Sequence, residues 1–131
     1  MTVPFWCVIV VAFLPYLLAG IGLYFRITRL GGWDNDNPRA QYAQLDGAGW
    51  RAWAAQLNAW EALGVFTAVV VIAHLAGADP ARSAVAAMLF VATRLLHPVL
   101  YIANLAWLRS ATVIAGLTCC AYLVYLAAVA G

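Results

Sequence analysis

Two rows of polar side chains interrupt a chain that is otherwise mainly apolar. One row has spacings of seven and three residues and consists of Arg51, Asn58 and Glu61. The other has spacings of three, four and three residues and consists of Arg94, His97, Tyr101 and Asn104. Residues at such spacings lie on one face of an α-helix. Each face runs from mid-membrane to the arginine-rich surface of the bundle, which the positive-inside rule places in the cytoplasm. The two faces together therefore predict a polar cleft that opens to the cytoplasm.

The same spacings have a second interpretation that involves no ligand. In membrane bundles, Asn, His and Tyr side chains form hydrogen bonds between helices because lipid offers them no partner. The absence of Lys from the chain likewise has a genomic explanation as well as a functional one. The spacing alone leaves both interpretations open.

Glu61 and Arg94 are the two ionisable residues expected at mid-membrane depth. Counted at 1.5 Å per residue from the cytoplasmic ends of their helices, Glu61 lies roughly 15 Å deep and Arg94 roughly 20 Å deep. The two helices are expected to be antiparallel neighbours. We therefore predict a buried ion pair between Glu61 and Arg94, and a structural role for it, since a buried pair must be well satisfied.

Composition predicts the elements that carry these rows. Apolar residues make up 66% of the 131 residues and charged residues 9%, whereas soluble domains carry about 25% charged residues. A helix of about 20 apolar residues crosses the hydrocarbon core of a bilayer. Four segments qualify, at about 3–27, 50–76, 81–107 and 110–130. We predict a single transmembrane domain over residues 1–131, with a kink at Pro15 in the first span.

The connections and the arginines predict the arrangement of the spans. A polar segment, 31–49, separates the first two spans, and the other two connections are short, which favours an all-α, four-helix up-down bundle. Most arginines lie at the end that carries the first and third loops: Arg26, Arg29, Arg39, Arg51 and Arg109. The positive-inside rule places that end in the cytoplasm and both termini on the non-cytoplasmic side.

Charge and cysteine usage exclude several other classes. The net charge of +2 and the lack of a basic run exclude a nucleic-acid-binding protein. The three cysteines, Cys7, Cys119 and Cys120, lie in apolar runs with no CxxC spacing and no histidine at ligand spacing. We predict neither a disulfide nor a metal site.

Four features together resemble the MAPEG family, the membrane-associated proteins in eicosanoid and glutathione metabolism. The length and the four spans are similar. AQLNAWEALGVF at 55–66 is similar to the family's span-two pattern A-x-x-N-x-x-E-x-x-P-x-F. RLLHPVLY at 94–101 is similar to R-x-x-H/Y-x-x-x-Y, and Arg109-Ser110 to the Arg-Ser that follows it. The resemblance covers nearly the whole chain and indicates a small bacterial-type member in the inner (cell) membrane.

The resemblance implies a homotrimer that binds glutathione, as co-substrate, in clefts between subunits. It implies that Arg109 stabilises the glutathione thiolate, since a cation beside a thiol lowers its pKa, while Ser110 or Tyr101 donates a hydrogen bond to the sulfur. In the family, the counterparts of Arg94 and Glu61 usually pair. The residues implied in glutathione binding are Arg26, Arg29, Arg51, Asn58, Glu61, Arg94, His97 and Tyr101.

Two departures from the family pattern keep the function open. Ala54 stands where the family's synthases carry an arginine that grips a glutathione carboxylate, with Arg51 as the candidate substitute. Gly64 stands where the family has proline. The main hypothesis is a glutathione-dependent transferase or peroxidase acting on a lipophilic electrophile. The alternative is a non-catalytic scaffold or lipid-binding trimer with a vestigial cleft. A small transporter subunit is disfavoured because one mid-membrane ion pair offers no ion relay.

Overall fold

The computed structural model describes residues 1–130, which form five α-helices. Their bounds are Val3–Leu30 (α1), Pro38–Tyr42 (α2), Gly47–Leu75 (α3), Pro80–Ile102 (α4) and Ala106–Ala128 (α5). All but α2 are long and apolar enough to cross a membrane. The shorter two of these four have 23 residues each, about 35 Å at 1.5 Å per residue, which exceeds the bilayer core of about 30 Å. The predicted all-α membrane bundle of four long helices is confirmed.

The four long helices pack as two pairs joined in the middle. α1 packs mainly along α3, and α4 mainly along α5, while α3 and α4 contact each other and join the pairs. Between α3 and α4, the rings of Phe66 and Phe90 stack with centroids 4.0 Å apart, and both are buried. Val11 of α1 and Leu123 of α5 belong to the same buried cluster. The apolar core therefore holds all four spans, and much of the remaining apolar surface faces outward, as lipid contact requires.

The turn between α4 and α5 lies earlier than the sequence predicts. The prediction places it near Arg109, whereas it occupies residues 103–105. Asn104 has a left-handed backbone with φ of 62°, and the amide of Leu105 donates to the carbonyl of Leu100 at 2.9 Å. This is the hydrogen-bond pattern of a Schellman helix end, in which asparagine is one of the few residues that fit. Asn104 therefore ends α4 instead of extending its polar face, and Arg109 lies inside α5.

The polar segment after α1 folds back over the end of the bundle. Arg26 is 4% exposed and donates to the side-chain carbonyl of Gln41 and to the backbone carbonyl of Asp34. Its guanidinium lies 4.7 Å from the centroid of the Tyr42 ring, which stacks in turn on Trp53 of α3. Arg26 therefore fastens α2 and the segment before it onto α1 and α3.

Close packing of Tyr42 on α1 depends on Gly22. A Cβ at Gly22 would lie 2.7 Å from the Tyr42 ring, which is held by Trp53 and Arg26 and cannot easily move. Gly22→Ala should therefore lower the free energy of unfolding by about 1–3 kcal/mol.

Gly20→Ala is the matched control, since among residues 1–130 no atom apart from the adjacent residues and the local helix backbone lies within 4 Å of its Cβ position. Alanine is favoured over glycine in a helix by about 0.5–1 kcal/mol, so this variant should be neutral or slightly more stable. Thermal unfolding in detergent measures both. A Gly22→Ala protein as stable as Gly20→Ala would contradict this docking of Tyr42.

Candidate functional site

Arg94 is a buried cation at the centre of the polar residues, with 4% of its side chain exposed. Its Nη2 donates to the backbone carbonyl of Thr112 on α5 at 2.7 Å. Its Nη1 donates to Oδ1 of Asn58 on α3 at 3.3 Å, and its Nε to the hydroxyl of Thr93 at 3.3 Å. One side chain of α4 thus connects three helices.

The predicted ion pair between Glu61 and Arg94 is wrong. Within residues 1–130, Glu61 makes no salt bridge and is exposed. Asn58, one turn earlier on α3, takes the place at the guanidinium that the prediction gave to Glu61. Depth along the two helices is compatible with a pair, but the guanidinium turns toward α5, where a backbone carbonyl satisfies it.

Gly116 provides the space for Arg94 on α5. A Cβ at Gly116 would lie 3.1 Å from Nη2 of Arg94 and 3.1 Å from the hydroxyl of Thr93. A carbonyl oxygen has two lone pairs, so that of Thr112 can accept the Arg94 guanidinium in addition to its helical hydrogen bond. The guanidinium therefore lies directly against the backbone of α5.

His97 continues this network one turn along α4. It is buried, and its Nδ1 lies 3.1 Å from the hydroxyl of Thr112. That hydroxyl donates its only proton to the carbonyl of Arg109 at 2.7 Å, so Nδ1 of His97 carries the proton of their shared bond. The Nε2 atom is then an acceptor, and it is buried without a partner among residues 1–130.

Arg109 and Tyr101 lie at the outer end of the network. The Arg109 guanidinium is 4.4 Å from the centroid of the Tyr101 ring, whose edge faces His97 at a centroid distance of 5.6 Å. Tyr101 and Arg109 are both half-buried. Among the described residues, the Arg109 guanidinium has no hydrogen bond and no acidic neighbour within salt-bridge distance. Its position is fixed by the Tyr101 ring, while no described residue neutralises its charge.

The other residues implied in glutathione binding have different surroundings. Arg26 is committed to the segment after α1, as described above. Arg29 lies 3.5 Å from Asp46, and the Arg29 side chain is half exposed whereas that of Asp46 is almost fully exposed. Arg51 is half-buried and its Nε donates to the carbonyl of Ile102 at the end of α4, at 3.1 Å. Ser110 is half-buried beside Arg109.

A cavity of 210 Å³ lies on the outer side of the Arg94 network. Asn58, Glu61 and Arg94 form its polar lining, and Gly116 and Cys120 belong to its wall on α5. Glu61 and Arg94 therefore line the same space without contacting each other. The cavity opens to the surface of the isolated chain on the side that carries Glu61, which is exposed.

Five of the predicted residues converge in one connected cluster: Asn58, Arg94, His97, Tyr101 and Arg109. The link between them is Thr112, which the sequence analysis missed. Its signal was present, since Thr112 follows Arg109 by three residues and therefore lies on the same face of α5. The spacing rule applies only when both residues lie in one helix, and the prediction that α5 starts at Ser110 places Arg109 outside it.

The model of the MAPEG family matches residues 3–129. The chain belongs to the MAPEG family. This confirms the resemblance and places the chain in a membrane protein family that is related to glutathione-dependent transferases and peroxidases. No curated protein and no solved structure gives a significant match.

The contacts of Arg94 predict that lysine cannot replace it in this MAPEG protein. A lysine ammonium is a point charge and cannot reach Asn58 and the Thr112 carbonyl together. Because a hydrogen bond to a charged group contributes about 1.5–3 kcal/mol, Arg94→Lys should lower the free energy of unfolding by about that amount.

Arg82→Lys is the matched control, since Arg82 is exposed at the other end of α4 and the hydrogen bond it donates to Asp79 comes from its backbone amide. Thermal unfolding in detergent compares the two variants. Equal melting temperatures for Arg94→Lys and the wild type would show that the guanidinium geometry is not required.

Proposed function

We propose that this MAPEG protein is a glutathione-dependent membrane transferase or peroxidase that acts on a lipophilic electrophile. The observation that carries the proposal is the Arg109 guanidinium, which is held over Tyr101 and is not neutralised by any described residue. A cation in such surroundings favours a thiolate over a thiol. Bound with its sulfur at Arg109, glutathione would be present as the nucleophile.

The chemistry requires little more than this thiolate. In a transfer reaction, the thiolate sulfur bonds to an electrophilic carbon and the leaving group departs with the electron pair of the broken bond. With an epoxide, the ring oxygen takes that electron pair and then a proton from water. In a peroxidase reaction, the thiolate attacks a hydroperoxide and releases the alcohol, and a second glutathione gives the disulfide and water. Tyr101 and Ser110, both half-buried beside Arg109, are the proposed hydrogen-bond donors to the sulfur.

The surroundings of the other arginines suggest a division of roles. Arg26 and Arg94 already donate to protein acceptors and are buried, so we expect them to hold the fold. Arg51 has only its Nε engaged, and Arg29 has one long contact with Asp46. These two retain donors for the carboxylates of glutathione, and we propose that they bind them.

The exposed face of α3 supports a homotrimer in which neighbouring copies complete the cleft. A carboxylate at the middle of a span is costly against lipid, yet Glu61 is exposed in the single chain. Gly64 and Ala68 lie on the same exposed face, and small residues let membrane helices approach closely. A second copy against this face would cover Glu61 and close the 210 Å³ cavity.

The arginine distribution supports the proposed orientation. Arg26, Arg29, Arg39, Arg51 and Arg109 belong to the bundle end formed by the close of α1 and the starts of α3 and α5. Arg82 belongs to the opposite end. We propose that the arginine-rich end is cytoplasmic, that both termini are non-cytoplasmic, and that the membrane is the bacterial inner membrane.

One observation favours the alternative of a non-catalytic trimer with a vestigial cleft. Ala54 lacks the arginine of the synthases, and its proposed substitute Arg51 is already bonded to the Ile102 carbonyl. If that bond holds the guanidinium away from the cleft, the donors that remain on Arg51 cannot reach a glutathione carboxylate, and the cleft has lost a partner for it. Glutathione binding decides between the two functions.

Glutathione should stabilise the protein through Arg109. A ligand that binds only the folded state raises its stability, so millimolar glutathione should raise the melting temperature in detergent. Arg109→Ala should abolish this rise and reduce glutathione conjugation by about 10²–10³-fold, the effect of removing one anion-stabilising group. The thiolate absorbance of bound glutathione should appear at lower pH in the wild type than in the variant, since the cation lowers the thiol pKa.

Arg82→Ala, at the opposite end of the bundle, is the matched control and should behave as wild type. Wild-type turnover in Arg109→Ala would refute the proposed mechanism. The absence of a thermal shift in the wild type would favour the vestigial cleft.

Assembly should depend on the α3 face that carries Glu61. Gly64→Leu should convert the trimer to smaller species, because the added side chain blocks close approach of a second copy. Apart from the adjacent residues and the local helix backbone, no atom of residues 1–130 lies within 4 Å of a Cβ at Gly64, so the variant should still fold. Gly20→Leu, on an open part of α1, is the matched control. Light scattering of the detergent-solubilised proteins measures the mass, and an intact Gly64→Leu trimer would contradict this interface.

A further inference from the structure

A second cavity lies at the bundle end opposite Arg109. It has a volume of 240 Å³ and is enclosed by the start of α1, the end of α3, the start of α4 and the last turns of α5. Val70, Ala73 and Leu123 give it apolar walls, and Ser83 and Ala84 line it from α4. No residue of the proposed glutathione site lines this cavity, so what it binds is independent of that function.

The hydroxyl of Ser83 is an unsatisfied polar group in this cavity wall. Its residue is 6% exposed, and its Oγ is buried with no hydrogen-bond partner among residues 1–130. Because the Oγ is covered in this rotamer, a ligand in the cavity reaches it after rotation about χ1, which has three staggered positions. The nearest acidic group in sequence, Asp79, accepts from the Arg82 amide as the helix cap. A buried hydroxyl without a partner is destabilising, which is reason to expect that something else bonds to it.

Water is a poor partner for Ser83 in this place. A buried water is held by two to four polar groups, whereas the other polar side chains of the lining, Thr2 and His74, belong to exposed residues. The His74 ring is also packed edge-on against Phe5, with centroids 4.9 Å apart. A molecule with one oxygen on an apolar body would form a hydrogen bond with the Ser83 hydroxyl and pack against the apolar walls of the cavity.

We propose that this cavity binds a small, neutral, lipophilic molecule of one or two rings with an oxygen that hydrogen-bonds to Ser83, as in phenols and aromatic ketones. Apolar cavities of about 150 Å³ hold one benzene ring, and this cavity is larger. No Asp, Glu or Arg side chain lines it, so a charged ligand would be desolvated without a counter-charge. The volume of 240 Å³ limits the ligand to about two rings, and the uncharged lining requires a neutral ligand.

Photolabelling with 4-hydroxybenzophenone tests the proposal on the detergent-purified protein. The probe is a neutral two-ring phenol and ketone that cross-links to nearby C–H bonds on illumination, and mass spectrometry of the peptides locates it. We expect cross-links at the cavity lining, within residues 2–4 and 70–84. Excess 2-naphthol, which is not photoreactive, should suppress them severalfold.

Two variants and two controls assign the site. Ser83→Ala should reduce the labelling severalfold by removing the hydroxyl, and Ala84→Leu should abolish it by filling the cavity. Thr118→Ala removes a hydroxyl from an exposed position elsewhere and should label as wild type. Arg109→Ala should also label as wild type, whether or not it binds glutathione. Thermal unfolding verifies that each variant is folded.

Three results would overturn the proposal. One is labelling spread evenly over the lipid-facing helices, and another is labelling that 2-naphthol does not suppress. The third is labelling that folded Ser83→Ala retains in full, because the hydrogen bond to this hydroxyl is what the proposal requires.

Discussion

The fold is organised around a guanidinium held inside a membrane-spanning bundle. A cation at this depth is tolerated only when its donors are satisfied and it is screened from lipid. Each of the three nitrogens of the Arg94 guanidinium donates one hydrogen bond, to an amide oxygen of α3, a hydroxyl of its own helix and a carbonyl of α5. The requirement determines its neighbours: a glycine at position 116 so that the group can reach the α5 backbone, and Thr112 as the residue that offers its carbonyl. Arg94 therefore sets how α5 packs against α3 and α4.

This network fixes the backbone of Arg109 but forms no hydrogen bond with its guanidinium. Thr112 accepts from His97, donates to the Arg109 carbonyl, and gives its own carbonyl to Arg94. The first part of α5 is thereby anchored through backbone groups, while the Arg109 side chain rests only on the ring of Tyr101. A site built this way has a rigid frame and an uncommitted charge, which is the combination that an anion-binding site requires. The division between structural and available arginines follows from hydrogen bonding, not from position in the sequence.

The number and type of the elements can be predicted from the sequence, because the hydropathy of a segment and the spacing of its polar residues are local properties of the chain. The four spans and the convergence of Asn58, His97 and Tyr101 follow from these two signals. The Glu61–Arg94 pair fails because helical depth and antiparallel order do not specify rotation about the helix axis, and a carbonyl of α5 competes for the guanidinium. The start of α5 was misplaced because Asn104 was read as part of a polar row, although asparagine is also a residue that ends helices. The partners of Arg26 could not be predicted, since they come from a segment without regular periodicity.

Glu61 links the fold to the proposed assembly and to the site. Among residues 1–130 it is a mid-span carboxylate with no salt-bridge partner, on a face with small residues, beside a cavity that Asn58 and Arg94 line from the inside. Removing it from lipid by a second copy would lower the cost of that charge and enclose the cavity in the same step. The two effects cannot be separated, because the surface that covers the carboxylate is also the missing wall of the cavity. A ligand that occupies this cavity should therefore stabilise the trimer as well as the single chain, and a loss of assembly should weaken glutathione binding even when Arg109 is intact.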